Sequence, residues 1–301
     1  FAAITDDAAI DFSTAFYRGL AYGRDLASAF EFGLNQIGLS GSNESHIPHL
    51  LASGVDPAEL VFDYRTDHGD AEPPAPGESP YLGLQYYDLE DADRFFGREA
   101  LTADLAGYLR DHEFLAVIGA SGSGKSSLVR AGIVPALSRG EMLADGTMPP
   151  QNSNRWPVYI ITPTARPLRS LAVELSSEGA SVAAQSTLMD ELGQDDRTLD
   201  LLMARLAAAA DTDRTLLIVD QFEEIFTLCE NDSERRAFLD NLLNAAASDG
   251  VTTVIITLRA DYYHRCAEFA NLRSMLERDQ RYIGAMSPDE LRSAIEEPAK
   301  L

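Results

Sequence analysis

Lysine is almost missing from this chain: of its 24 lysines and arginines, only Lys125 and Lys300 are lysine. Cysteine is as scarce. Cys229 and Cys266 are the only two, far apart and without CxxC spacing, which excludes a disulfide framework and a cysteine zinc site. A reducing cytoplasm fits that usage. No apolar run approaches the roughly 18 residues needed to cross a bilayer, and the first residues lack the basic-then-apolar layout of a signal peptide. The chain reads as soluble, with no membrane partner. Positive charge is in deficit, and a formal charge of -24 excludes a general affinity for nucleic acid or anionic membrane, because phosphates would be repelled by most of the surface. The 301 residues, 45% of them hydrophobic, suffice for one large core or two ordinary ones. Starting at Phe1 and stopping at Leu301 inside a helical pattern, the chain reads as a piece of a longer protein.

What is present is organised around FLAVIGASGSGKSSLVR, from Phe114 to Arg130. An apolar strand pattern, Leu115 to Ile118, runs into the loop Gly119-Ala120-Ser121-Gly122-Ser123-Gly124-Lys125-Ser126-Ser127 and then into a helical pattern. The spacing is that of a phosphate-binding loop. Glycines at 119, 122 and 124 let successive N–H groups turn inward on phosphate oxygens, and the following helix adds the positive end of its dipole. Lys125 is placed to reach the β- and γ-phosphates, and the Ser126 hydroxyl to ligate Mg²⁺. In a chain that uses arginine nearly everywhere, a lysine here answers to chemistry: a compact ammonium fits between phosphates where a guanidinium fork does not.

Around the loop, apolar strand patterns at Trp156 to Thr162, Leu216 to Val219 and Val251 to Leu258 alternate with helical patterns at about 100–110, 167–175, 199–210 and 234–247. Alternation of this kind predicts an α/β fold, a parallel sheet with helices on both faces. The strand TLLIV ends in Asp220 at the carboxyl edge of the sheet, where ligands bind in such folds, so Asp220 is the second candidate metal-holding residue beside Ser126. Glu223 and Glu224 follow as candidates to orient or deprotonate water. Arg259, after VTTVIITL, is placed to sense the γ-phosphate and stabilise charge in phosphoryl transfer. His264 and Cys266, two residues apart on one helix, point in different directions and make a poor catalytic pair. Upstream, Thr5-Asp6-Asp7 heads a helix to about Tyr22 that Gly23 ends, a second helix spans about 25–37, and His46 to Leu51 is compatible with a strand. Residues 65–80, rich in proline, glycine and acid, read as an extended linker that divides 1–64 from 81–301.

Two resemblances refine these expectations. AITDDAAIDFSTAFYRGLAYGRDLASAFEFG followed by HIPHLL resembles the closing part of CHAT domains, caspase-like peptidase modules. It implies a small N-terminal α/β fragment that carries no catalytic residue, since that family's His and Cys lie upstream, so no peptidase activity belongs to this chain alone. FFGRE, GASGSGKSS, LLIVDQFEE, VIITLRADYY and MSPDELRSAIEEPA, in that order, resemble the P-loop NTPases of the bacterial novel-STAND type, related to AAA+ ATPases. That likeness implies a three-layer P-loop fold, ATP or ADP with Mg²⁺ as cofactors, Phe96, Gly97, Arg98 and Glu99 near the adenine and ribose, Pro298 near the base, and Arg259 as sensor. AAA+ relatives place a catalytic Glu directly after the metal-binding Asp, whereas this chain has Gln221 there. Glu223 or Glu224 must then serve, or hydrolysis is slow. The implied function is an ATP-dependent signalling switch that self-assembles on activation, with a trigger sensed outside this chain and a CHAT effector, in bacterial defence or cell death. An AAA+-like ATPase acting on DNA or protein, and a scaffold with a structural nucleotide, are the alternatives.

Overall fold

The computed structural model describes residues 5–40, 44–50, 56–60, 81–83, 85–176, 180–247 and 251–301. The chain divides into two compact units, Phe1–Gln85 and Tyr86–Leu301. The expected linker, 65–80, lies outside the described residues.

In the first unit, helices α1 (Asp6–Ala21) and α2 (Leu26–Leu39) pack as a pair. Gly23, at a φ of 73°, ends the first turn-out, and Asp25 caps α2 by accepting from the Ser28 N–H at 2.8 Å. Phe12 stacks on Phe16 and meets Phe30 edge-on, with ring centroids 5.7 and 5.3 Å apart. Thr5 stands at the N-cap of α1, and its hydroxyl donates to Glu44 at 2.8 Å. One expectation fails here. Residues 46–50 form turn and loop rather than strand, because His and Pro interrupt any alternation, and Leu51 lies outside the described residues. Among the described residues of this unit there is no strand, so the expected α/β character is not seen in them.

The second unit begins with a 3-10 turn (Leu89–Arg94) and α3 (Glu99–Tyr108). Strand β1 (Phe114–Gly119) leads through the glycine loop into α4 (Lys125–Ser127), which continues as a π-helical segment (Leu128–Ile133) into α5 (Val134–Arg139). There follow β2 (Val158–Ile161), α6 (Pro167–Glu174), α7 (Val182–Gln194), α8 (Thr198–Ala209), β3 (Thr215–Val219), α9 (Glu224–Thr227) and α10 (Asp232–Ala247). The unit closes with β4 (Thr252–Arg259), α11 (Tyr263–Cys266), α12 (Ala270–Arg278), β5 (Gln280–Ile283) and α13 (Pro288–Glu296). The strands form one parallel sheet in the order β2-β3-β4-β1-β5.

Strand alternation divides the core into two layers. Phe114, Ala116, Ile118, Leu217, Val219, Val254 and Ile256 face α6, α8, α10 and α12, while Leu115, Val117, Leu216, Ile218 and Ile255 face α3 and the helix after the loop. Residues buried on both faces explain why β1 and most of β3 read as unbroken apolar runs and β4 as a β-branched one. β1 sits between β4 and β5, with Gly119 level with Arg259 and Ile283. That register brings the loop after β1, Asp220 after β3 and Arg259 at the end of β4 to one edge of the sheet.

Candidate functional site

The loop after β1 is shaped for an anion. Gly122 and Gly124 hold φ of 73° and 84°, a left-handed conformation that side chains disfavour. Gly119 has no room for a Cβ, which would lie 2.7 Å from the Ser123 hydroxyl and 3.2 Å from the Ile283 carbonyl. Ser123 Oγ is buried without a hydrogen-bond partner, an orphaned donor of the kind a bound oxygen satisfies. Lys125, 9% exposed, folds back on its own loop, its Nζ donating to the carbonyls of Ala120 at 2.8 Å and Gly119 at 3.2 Å. Burial pushes its pKa below 10.5, opposed by the charge of Glu223 and reinforced by Arg259. A desolvated ammonium on two neutral carbonyls is held short of the charge partner it is built for, and the residues present fit a phosphate group.

Asp220, 1% exposed, is the hub of the site. Its Oδ1 accepts from the hydroxyls of Thr257 at 2.7 Å and Ser126 at 2.8 Å and from the Gln221 N–H at 3.1 Å, and its Oδ2 accepts from Arg130 Nε at 3.0 Å. The Gln221 turn is strained, with φ at 54°, and a further bond from its N–H to Thr257 Oγ1 at 2.9 Å holds it. Among the described residues no cluster of three His, Cys, Asp or Glu forms a metal cage. A cation here would depend on Ser126, on Asp220 and on oxygens that arrive with a ligand, as Mg²⁺ sites with phosphate do.

The two glutamates part company. Glu223, buried at the start of α9, accepts from the Arg259 N–H at 3.2 Å and is the principal charge acting on Lys125. Glu224 accepts from the N–H of Thr164, a residue with φ of 58°, at 3.0 Å. Burial raises the Glu224 pKa above 4.5, opposed by that N–H and reinforced by the charges of Glu223 and Asp220. Arg259 turns outward onto Asp261, Nη2 to Oδ2 at 2.8 Å, and lies over the Tyr262 ring at 5.3 Å. His264 is exposed and Cys266 fully buried, its thiol pushed up to about 12 by burial, so the two face apart as their spacing predicts.

The FFGRE segment is tied to the far end of the unit. Arg98, buried, donates to the Gly284 carbonyl at 2.8 Å and pairs with Glu290 at 3.5 Å. Gly97 has φ of 85°, and a Cβ there would lie 2.2 Å from the Glu290 carbonyl oxygen. Phe96 is half-buried, Glu99 accepts from the Gly97 N–H at 2.9 Å, and Pro298 is buried. Ser127 accepts from the Tyr87 N–H at 3.1 Å. Sequence reading passed over Thr257, Thr164 and Arg130. Thr257 is hidden in a β-branched run, and Thr164 acts through its backbone. For Arg130 the one available signal is its place four residues after Ser126, on the same helix face, which by itself does not set it apart from any surface arginine.

No curated protein matches the chain. Among solved structures it is similar to the ORC2 protein of Aeropyrum pernix, determined in ADPNP-ADP complexes, at 16% identity and a TM-score of 0.45. The match covers 68% of this chain and 52% of that one, so the chain spans about half the length of that protein. Among the described residues no helix is long and apolar enough to cross a membrane. The family model Novel STAND NTPase 1 matches residues 80–301, the whole of the parallel-sheet unit, and the chain belongs to that family of NTPases.

Proposed function

We propose that this chain is an ATP-binding, slowly hydrolysing switch whose state is set by the γ-phosphate, and that in the whole protein it couples a sensor to a CHAT-type effector in bacterial defence. The observation that carries the reading is the convergence on Asp220: the Ser126 hydroxyl of the phosphate loop and the Thr257 hydroxyl of β4 both bond its Oδ1, with Lys125 one residue away on the loop. Bound Mg-ATP supplies the phosphoanhydride bond and the extra charge of its terminal phosphate. Lys125 leaves its loop carbonyls to meet that charge, Ser126 and Asp220 hold Mg²⁺, and the loop N–H groups of 119–124 bind phosphate oxygens.

Glu224 is the stronger candidate for the base, because burial has raised its proton affinity while Glu223 is committed to the Arg259 N–H. Arg259 senses the terminal phosphate by exchanging its Asp261 partner for it. With Gln221 directly after Asp220, no carboxylate occupies the position AAA+ relatives use, which favours slow turnover. ATP and ADP shift the population of two states only through such differential contacts. The CHAT part rests on the FYRGL-x-x-GR resemblance, and self-assembly in the ATP state follows the family likeness. Calorimetry with Mg-ATP and Mg-ADP tests the nucleotide reading: both bind, and turnover stays below about 1 per second, the low end of common enzyme rates. Absence of binding by either nucleotide overturns it.

A further inference from the structure

Four donors reach Asp220, unevenly shared: Thr257, Ser126 and the Gln221 N–H crowd Oδ1, while Oδ2 accepts from Arg130 alone. Oδ1 has no acceptor site to spare, so a divalent cation served by Asp220 either displaces a donor from Oδ1 or sits on Oδ2 beside the Arg130 guanidinium. The Gln221 N–H is fixed by its strained turn, and the two hydroxyls are neutral groups that rotate without charge conflict. Arg130 is different, being the one donor that carries the same sign of charge as the metal. Its side chain is 13% exposed, and it has a second partner ready: Nη1 lies 3.3 and 3.4 Å from the two carboxylate oxygens of Asp88, itself 42% exposed, and the guanidinium sits 4.7 Å from the Tyr86 ring centroid. Arg130 belongs to the π-helical segment Leu128–Ile133, a local widening of the helix of the kind found at functional sites.

We propose that Arg130 is a built-in cation on the metal-holding carboxylate, with which the divalent metal competes, and that metal binding shifts Arg130 from Asp220 towards Asp88. This rests on the reading of Ser126 and Asp220 as the metal-holding pair. Arg130 is thus a positioning residue that sets metal affinity. It also links the segment Tyr86–Asp88 to whether the metal is in place.

The test is binding of Mn²⁺ in the presence of ADP, followed by the loss of the free-ion electron paramagnetic resonance signal, with ADP affinity without metal measured in parallel. Arg130→Gln removes the competitor and tightens Mn²⁺ by about tenfold or more, a fraction of the roughly thousandfold that a unit charge about 4 Å away is worth at an effective dielectric near 20, because the guanidinium can withdraw towards Asp88. Asp88→Asn removes the alternative partner, commits Arg130 to Asp220 and weakens Mn²⁺ severalfold. In the Arg130→Gln background the same Asp88→Asn change has no further effect, which a double-mutant cycle reads directly. Unchanged or weaker Mn²⁺ binding in Arg130→Gln overturns the proposal, as does an Asp88 effect that persists without Arg130. Should Arg130→Gln fail to fold, Asp88→Asn decides, and unchanged Mn²⁺ affinity there is the contrary result. A wild-type chain that binds no Mn-ADP at all defeats the nucleotide reading itself, a different outcome from a wild type that binds it and a variant that binds it equally.

Discussion

Replacing Lys125 with Ala removes the one ammonium at the phosphate loop and leaves the fold around it little touched, because the side chain bonds only two carbonyls of its own loop, those of Gly119 and Ala120. A hydrogen bond to a charged group contributes about 1.5 to 3 kcal/mol, and about 1.4 kcal/mol is tenfold in affinity. The gain on binding is smaller than that gross figure, since the ammonium must first leave two carbonyls, but it is also a buried charge that regains a partner. These terms oppose each other, and a loss of about ten- to a hundredfold in ATP affinity follows. Calorimetry with ATP, ADP and adenosine separates the contribution: adenosine, which has no phosphate, binds the variant as it binds the wild type. An ATP affinity unchanged in Lys125→Ala refutes the placement of the nucleotide on this loop. So does an equal loss for adenosine, which points to a collapsed site instead.

Glu224→Gln should cut turnover by about a hundredfold or more, in the range of general-base catalysis, with ATP affinity within a few-fold of wild type, measured by phosphate release and calorimetry. In the wild type the acid limb of turnover should lie above pH 4.5, because a raised pKa leaves Glu224 protonated to higher pH. Lys125 gives the opposite limb: burial lowers its free-state pKa and a bound phosphate raises it, so affinity falls as pH climbs through the alkaline range and binding there takes up protons, visible in calorimetry as a buffer-dependent heat. Gly97→Ala forces a Cβ to within 2.2 Å of the Glu290 carbonyl at a φ of 85°, and should destabilise the NTPase unit by about 2 kcal/mol or more. The melting temperature by scanning calorimetry drops by several degrees, and an unchanged value contradicts the close approach of Gly97 to the Glu290 carbonyl.

The sheet was legible where burial on both faces wrote continuous apolar runs, at Leu115–Ile118 and Leu216–Val219, and a β-branched run at Val251–Leu258. Strand β5, Gln280–Ile283, was not, because an edge strand with one neighbour needs no apolar run: only Ile283 of its four residues is buried. The helices α7 and α12 were missed for a related reason, each burying only one or two residues on a mostly polar surface. The loop residues announced themselves through backbone chemistry that only glycine serves. Thr257 and Arg130 did not, since a threonine in a strand and an arginine on a helix have ordinary reasons to be there. Only the register of β3 against β4 sets Asp220 level with Thr257, and that of β1 against β4 brings the helix carrying Arg130 to the same edge.

The claim that the nucleotide state is read at this sheet edge is tested most directly by hydrogen exchange of the chain with Mg-ADP against a non-hydrolysable Mg-ATP analogue. Differential protection is predicted at 86–94, 220–224 and 259–262, the segments joined through Asp88, Asp220 and Arg259. Identical exchange in those segments with both nucleotides bound would contradict a switch and leave a nucleotide that serves only the fold.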